Sequence, residues 1–387
     1  MNLSNLSRRD FTRLSALGTL GVAAQLSDLT SLAAPTGQVQ SGPVPSSKPV
    51  GYAIIGLGRI ADHFMAGCQD TAKSPHPSKV TGLVSGHPEK AAAIAQKYGV
   101  PKSSIYTYEN MDEMRNNPAI EAVYVALPNS MHAEYSVRSA KAGKHVLCEK
   151  PMATSVKDAQ DMIDACKAAN VKLMIAYRCH YETTNLAAVK LIRDGHLGQI
   201  QSIQSAFGFS CDPADWRMKK ALAGGGPLMD VGIYSLNATR YLTNEEPSEI
   251  VAYSHSSLTD PRFKEVEENV VWMTKFPSGA TATCNTTYGA QMDGYFRVYG
   301  SKGWLEVNPA FVYDGLRLKA EYTDDQGKFI QLDQPNPEKD PIHFTNEANH
   351  FSTCVRENRT PQSPGEEGLK DMTYLRQIYH SAGLNNL

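Results

Sequence analysis

A lysine, a carboxylate and a phenol carry the chemistry that this chain's residue types and spacing allow. Lys150 stands between Glu149 and Pro151, just beyond the apolar run His145–Cys148. Partly withdrawn from water at such a place, a lysine can serve in proton transfer; the plain alternative is a surface lysine. Farther on, residues 224–234 read GGGPLMDVGIY, a glycine run followed by Pro227, which suits a helix start. Asp230 and Tyr234 are four apart, so on a helix they share one face. A carboxylate and a phenol projecting together can bind a sugar hydroxyl and take its proton. A free phenol titrates near ~10, so Tyr234 needs a positive neighbour to work near neutrality. Lys150 is one candidate for that neighbour. The competing reading has Asp230 capping the helix and Tyr234 packing in the core.

These residues need a scaffold, and the first half of the chain supplies one. Val50–Ile55 reads as a buried strand, Gly56-Leu57-Gly58-Arg59-Ile60-Ala61 follows at once, and a helix pattern runs on towards Cys68. This is G-x-G-x-x-A in its required setting. Gly56 permits the tight turn, Gly58 lets backbone approach a pyrophosphate, and Ala61 allows close helix–strand packing. A second strand, Lys79–Val84, ends in Ser85-Gly86-His87-Pro88-Glu89-Lys90. An NAD site wants an acid there for the ribose 2′-OH. A hydroxyl, a glycine amide and a lysine suit a 2′-phosphate better, and Arg59 can add a second positive charge. Glu89 sits where carboxylates open helices for dipole reasons alone. The expected cofactor is therefore NADP, whose oxidised nicotinamide is a second candidate for the positive neighbour of Tyr234.

Strands at Ala122–Leu127, His145–Cys148 and Lys172–Tyr177 alternate with helical stretches around Met111–Arg115, His132–Ala142 and Val156–Ala169. Such alternation predicts a parallel sheet with its ligand chemistry at the carboxyl ends of the strands. Leu127-Pro128-Asn129-Ser130-Met131-His132 follows one end and Glu149-Lys150-Pro151 the next. Seven later runs read as strands: Ile200–Phe209, Glu249–Ser254, Asn269–Phe276, Ala280–Tyr288, Tyr295–Tyr299, Trp304–Val307 and Leu316–Tyr322. The fold class is α/β: a Rossmann domain plus an α+β domain with a large, predominantly antiparallel open sheet. One sheet face should pack on the helix carrying Asp230. The other, holding Tyr288, Phe296 and Tyr299, is expected at a dimer interface. A helix from Glu366 to Ala382 should pack back on the first domain.

Gly56-x-Gly58-x-x-Ala61, Glu149-Lys150-Pro151 and Gly225-Gly226-Pro227-x-x-Asp230-x-Gly232-x-Tyr234 occur in that order. Over residues 50–387 the chain resembles the glucose–fructose oxidoreductase/inositol dehydrogenase (Gfo/Idh/MocA) family of sugar oxidoreductases. Many members carry histidine where Tyr234 stands. The tyrosine, Ser85-Gly86-x-x-x-Lys90 and Tyr177-Arg178-Cys179-His180-Tyr181 are similar to the glucose–fructose oxidoreductase branch. The resemblance implies that Lys150 holds the reacting hydroxyl, Tyr234 exchanges the proton and Asp230 orients the sugar. Tyr177 and Arg178 would line the substrate site, and Asp215-Trp216-Arg217 would approach the nicotinamide or the sugar; Trp216 reads equally as an aromatic core anchor. The cofactor site would comprise Gly56, Leu57, Gly58, Arg59, Ile60, Ser85, Gly86, Lys90, Tyr108, Ala126, Leu127, Pro128, Asn129, His132, Glu149, Lys150, Arg178, Trp216 and Arg217. The family's Lys–Pro bond is often cis.

Composition excludes other classes. With 38 Lys+Arg against 40 Asp+Glu the net charge is -2, no basic stripe for phosphate backbones, so nucleic acid is not an expected partner. Seven scattered cysteines without C-x-x-C make neither a disulfide framework nor a zinc site, and no metal is expected. Residues 1–33 resemble a twin-arginine export signal: Ser7-Arg8-Arg9-Asp10-Phe11, an apolar run Leu14–Ala24, then Ser31-Leu32-Ala33 for a signal peptidase. The alternative is a basic surface helix. Residues 34–49 form a Pro/Gly/Ser-rich arm that could close over the adenosine; 50–177 are the NADP domain, 178–365 the substrate and oligomerisation domain, and 366–387 the terminal helix.

Location then constrains mechanism. Twin-arginine export carries folded proteins, and free NADP is not expected outside the cytoplasm. The cofactor is therefore expected to be tightly bound and non-dissociating, and to be regenerated in the periplasm by a second substrate. One aldose is oxidised at C1 to the lactone, and a second sugar carbonyl is reduced to the polyol, in ping-pong order. The partners are small sugars, the Tat machinery and signal peptidase, and further copies in a homodimer or homotetramer. Rival readings are an exported NAD-dependent glycosidase, a dehydrogenase with exchangeable NADP, and a non-catalytic sugar binder.

Overall fold

Six short apolar runs pair side by side into a parallel sheet: β1 (Val50–Ile55), β2 (Ser78–Val84), β3 (Ile105–Tyr106), β4 (Ala122–Val125), β5 (His145–Glu149) and β6 (Leu173–Ala176). The structure, a computed structural model, describes residues 48–384. The export signal read at 1–33 and all but the last two residues of the arm at 34–49 lie outside the described residues.

The strand order is β3-β2-β1-β4-β5-β6. Both faces are covered, so the strands are apolar throughout rather than alternating. Tyr52, Ile54, Ala122 and Tyr124 share a core with α1 (Arg59–Asp70), α2 (Pro88–Tyr98) and α8 (Ile342–Arg356). Ala53, Ile55, Val123 and Val125 share the other with α3 (His132–Lys141), α4 (Val156–Ala168) and α9 (Gly365–Ser381). The order reverses between β1 and β4, which opens a crevice at their carboxyl ends.

The second sheet has eight strands in the order β14-β13-β12-β11-β7-β10-β9-β8. They are β7 (Ile200–Gly208), β8 (Glu249–His255), β9 (Asn269–Lys275), β10 (Thr281–Thr287), β11 (Tyr295–Gly300), β12 (Gly303–Val307), β13 (Arg317–Thr323) and β14 (Phe329–Pro335). All neighbours are antiparallel except β7 with β10. Helices α5 (Thr183–Arg193) and α6 (Lys220–Ala223) precede α7 (Ile233–Thr243), which lies on the inner sheet face. Helix α7 is buried nearly all round, because α9 covers the side the sheet leaves open. The sheet face expected for Tyr288 and Phe296 is corrected here: both are fully buried on the inner face. Residues 282, 284 and 286 point inward, so period-two alternation carries Tyr288 inward too. Tyr299, three residues from Phe296, belongs to the opposite face.

Arg240 of α7 and Asp371 of α9 join the layers. Arg240 is 4% exposed and Asp371 0%, and the guanidinium donates to Asp371 and also pairs with Glu246 and Glu367. Removing it would strand a buried carboxylate. Arg240→Ala is therefore expected to cost about 3–5 kcal/mol in urea-unfolding free energy.

All seven cysteines are free and buried. Among the described residues no helix is long and apolar enough to cross a membrane, and no cluster of His, Cys, Asp or Glu is placed to hold a metal.

Candidate active site

The crevice at the strand-order reversal is a groove of about 700 Å³. Its floor is the turn from β1 into α1. Gly56 has φ +87°, and a Cβ there would fall 2.4 Å from the Ala126 carbonyl oxygen. Only glycine fits. A Cβ at Gly58 would meet nothing within 4 Å, so the space above it is open to the groove. Helix α1 starts at Arg59 without a side-chain cap, leaving its first N–H groups facing that space. An uncapped helix N-terminus over an open cradle fits a pyrophosphate.

Ser85, His87, Lys90, Arg59 and Tyr108 line one part of the groove. The Ser85 hydroxyl accepts from the His87 N–H at 3.0 Å, shaping the entry to α2. The carboxylates lining the groove come from elsewhere: Glu149 from β5, Asp215 and Asp230 from the second half. Two cations and a hydroxyl without an acid fit a 2′-phosphate. Gly86 is not in the wall; it sits behind Tyr108, whose ring would lie 3.3 Å from a Cβ there.

Ala126, Leu127, Pro128, Asn129 and His132 follow β4 along the groove. Buried His132 places Nδ1 2.8 Å from the Pro151 carbonyl and Nε2 2.8 Å from the Leu127 carbonyl. It thereby staples the loop after β4 to the loop carrying Lys150. Burial lowers its pKa, against the pull of both carbonyls. Asn129 donates to the Ala223 carbonyl at 2.9 Å, tying the same loop to the glycine run.

Lys150 follows β5, and its bond to Pro151 is cis. Its backbone N–H donates to Glu149 at 3.1 Å, while buried Glu149 also accepts from Tyr124. The Lys150 ammonium donates to the Asp230 carbonyl at 2.6 Å and to Asp230 Oδ1 at 3.3 Å. Asp230 Oδ2 accepts from Arg217 Nε at 2.8 Å and from the Tyr288 hydroxyl at 2.9 Å. Burial alone would raise the Asp230 carboxyl; Lys150, Arg217 and the Tyr288 hydroxyl outweigh it and hold it well below the usual carboxylate range. It is an anion at any working pH.

The helix expected to align Asp230 with Tyr234 is a composite. Leu228–Gly232 is a π-helical turn that passes into α7 at Ile233. The wider turn changes their relative phase, and both side chains still reach the groove. Buried Glu267 pins this turn, accepting from Gly226 N at 2.9 Å, Leu228 N at 3.3 Å and the Tyr379 hydroxyl at 2.8 Å. Tyr234 has the Lys150 ammonium 4.6 Å and the Arg178 guanidinium 5.1 Å from its ring centre. Burial pushes the phenol above its ordinary value, and Arg178 offsets only part of that. At neutral pH the phenol therefore keeps its proton in the protein alone.

Buried Arg178 is fixed by the Phe311 and Val312 carbonyls and by His343 Nδ1 at 3.2 Å. His343 accepts because burial and Arg178 hold its pKa down to about 3. Trp216 lies under the Arg217 guanidinium at 4.8 Å, and both line the groove. Tyr177 does not; it is buried behind Tyr234. The reading from sequence passed over Tyr288, Glu267, His63 and Tyr313. Tyr288 was legible from alternation along β10; Tyr313 and His63 carry no motif.

A parallel nucleotide-binding sheet whose switch-point groove meets a lysine, a carboxylate and a phenol defines a dinucleotide-dependent oxidoreductase. Residues 50–177 match the family described as "Oxidoreductase family, NAD-binding Rossmann fold", and residues 185–306 match its C-terminal domain. The chain belongs to the Gfo/Idh/MocA oxidoreductase family. It is 30% identical over 346 residues to D-xylose 1-dehydrogenase [NADP(+)] of Haloarcula marismortui, covering 87% of this chain and 92% of that one. It is 29% identical over 257 residues to 1,5-anhydro-D-fructose reductase of Ensifer adhaerens, 66% of this chain and 74% of that one. The crystal structure of aldose-aldose oxidoreductase from Caulobacter crescentus complexed with glycerol superposes with TM-score 0.80 at 43% identity. It covers 87% of this chain and 98% of that one.

Proposed function

We propose that this protein is an NADP(H)-dependent sugar oxidoreductase that oxidises an aldose at C1 to the lactone and reduces a second sugar carbonyl to the polyol in the same pocket. The observation that carries the reading is the convergence of Lys150, Asp230 and Tyr234 on the switch-point groove. Relatives acting, by name, on xylose, anhydrofructose and aldoses support the substrate class. Gly56 to Ile60 would hold the pyrophosphate, and Ser85, Arg59 and Lys90 the 2′-phosphate. Bound there, NADP would supply the acceptor and then the donor of the hydride, and in its oxidised form a positive charge.

The chain's own residues handle the proton. Lys150, held by Asp230, donates to the sugar oxygen and stabilises negative charge as the O–H bond breaks. Tyr234 accepts that proton in oxidation and returns one in reduction. Asp230 holds Lys150 in place.

The nucleotide is proposed to be retained between the two sugars, and the protein to be exported to the periplasm. Ser7-Arg8-Arg9-Asp10-Phe11 supports export. The proposed homodimer or homotetramer is supported by exposed Tyr253, Met273 and Val251 on the outer sheet face. To test the cycle, protein purified without added nucleotide is given glucose alone. The reduced-nicotinamide absorbance band is expected to rise and then fall when a carbonyl sugar follows. Turnover strictly dependent on added NADP overturns the closed cycle.

Cofactor choice has its own test. Charge-assisted hydrogen bonds contribute ~1.5–3 kcal/mol. Lys90→Ala should therefore weaken NADP binding about ten- to hundredfold, with NAD affinity unchanged, when stripped protein is titrated calorimetrically.

A further inference from the structure

Between β12 and β13 the chain makes an excursion, residues 308–316, that brings Phe311, Val312 and Tyr313 to the groove. Connecting loops are ordinarily the mobile part of a fold. This one is tied down on both sides of Tyr313. The Ala310 carbonyl accepts from Asn185 Nδ2 of α5 at 3.2 Å, and the Phe311 and Val312 carbonyls accept from Arg178. Beyond the tyrosine, Asp314 Oδ1 accepts from the Asp340 backbone N–H at 2.8 Å.

The Tyr313 ring is fixed as well. The His63 ring of α1 stacks on it at 4.9 Å, Phe344 of α8 lies 5.9 Å away, and the Arg178 guanidinium sits 4.5 Å from its centre. His63 is held in turn, with Nδ1 2.6 Å from Asp340 Oδ2. Nothing comparable holds the hydroxyl. It makes no hydrogen bond among the described residues and is not sealed in the core. Burial of the ring pushes the phenol up, so the hydroxyl keeps its proton and can donate as well as accept.

Arg178 relates this phenol to the chemistry. The guanidinium lies over the Tyr313 and Tyr234 rings alike, at 4.5 Å and 5.1 Å, so one side chain separates the uncommitted phenol from the reacting one. The charged neighbours of Tyr313 are Arg178, Glu149 and Lys150. Glu149 is already engaged by the Tyr124 hydroxyl and the Lys150 N–H.

We propose that Tyr313 binds the substrate, its hydroxyl holding the sugar hydroxyl next to the reacting carbon, which is the C2 hydroxyl of an aldose oxidised at C1. The assignment rests on the sugar-oxidoreductase reading. With the C1 oxygen at Lys150 and Tyr234, the C2 hydroxyl is one carbon away, and the phenol on the far side of Arg178 meets it. A ring already ordered by its neighbours gives up little freedom on binding. Tyr313 takes no part in the proton transfer.

Tyr313→Phe deletes one oxygen and keeps the ring between His63 and Arg178. Glucose titrated calorimetrically into NADPH-loaded protein, which has no hydride acceptor, should bind about three- to tenfold more weakly to the variant than to the native protein. 2-Deoxyglucose should bind the native protein as weakly as glucose binds the variant, and the variant no more weakly still. In turnover the loss should fall on KM, with kcat within a few-fold of native and its pH profile kept. Equal weakening of glucose and 2-deoxyglucose in the variant marks a structural role and overturns the assignment. Unchanged glucose affinity overturns it too, as does a loss confined to NADP binding, which would turn the hydroxyl to the nucleotide. A native protein that binds and oxidises no sugar overturns the parent reading, and this assignment with it.

Discussion

Lys150→Met is expected to lower kcat for aldose oxidation by about 10²–10⁴-fold while leaving NADP affinity within a few-fold of native. The methionine roughly keeps the length of the side chain and its contact with the Tyr234 ring, so the change removes charge rather than volume. The fold should tolerate it. Asp230 would still accept from Arg217 and from Tyr288, so no buried carboxylate is stranded. What disappears is the ammonium poised between Asp230 and Tyr234 in the groove wall. What is lost is the cation that stabilises the sugar oxygen as its proton leaves, while Arg178, the charge that offsets part of the burial of the phenol, stays. Thermal unfolding and NADP binding separate this from a folding defect. A kcat within tenfold of native, with both controls unchanged, would place the chemistry elsewhere.

Legibility from sequence divides along physical lines. The glycine turn and the parallel strands were readable because a sheet covered on both faces demands continuous apolar runs, as in β1 with all six residues buried. The Lys150 loop and the Asp230 segment were readable because glycine and proline punctuate them. Helix α8 was not. Its sequence IHFTNEANHFSTCVR places His343, Thr345, Glu347 and Ser352 in the interior, which hides the apolar face. Strand β14, at the sheet edge, alternates but buries none of its side chains fully, and β3 is two residues long. The misplacement of Tyr288 and Phe296 came from reading bulk as an interface signal where alternation assigned both inward. Phe296 and Tyr299, three apart on one strand, cannot share a face. The π-helical turn left no trace, since its cause is tertiary: Glu267 and Tyr379, distant in sequence, hold the segment's N-terminus.

Tyr234→Phe deletes one oxygen, and its effect should be as large as that of Lys150→Met but with a different pH signature. In the native protein the phenol's pKa lies above its ordinary value of ~10, because burial outweighs the Arg178 charge. A raised pKa means that the acid form dominates at neutral pH and ionises only as pH rises towards the alkaline range. Carbonyl reduction needs the acid form, so its rate should be flat through neutrality and fall at high pH. Aldose oxidation needs the phenolate, so its rate should climb with pH over the same range. The opposite slopes belong to one group seen from two directions. In Tyr234→Phe both rates should drop about 10²–10⁴-fold, and the alkaline rise in oxidation should vanish. Asp230 cannot mimic this behaviour, since its carboxyl is held far below neutrality and stays ionised throughout. Neither can His343, already neutral at those pH values. Persistence of the alkaline rise in the phenylalanine variant would therefore remove Tyr234 from the proton transfer.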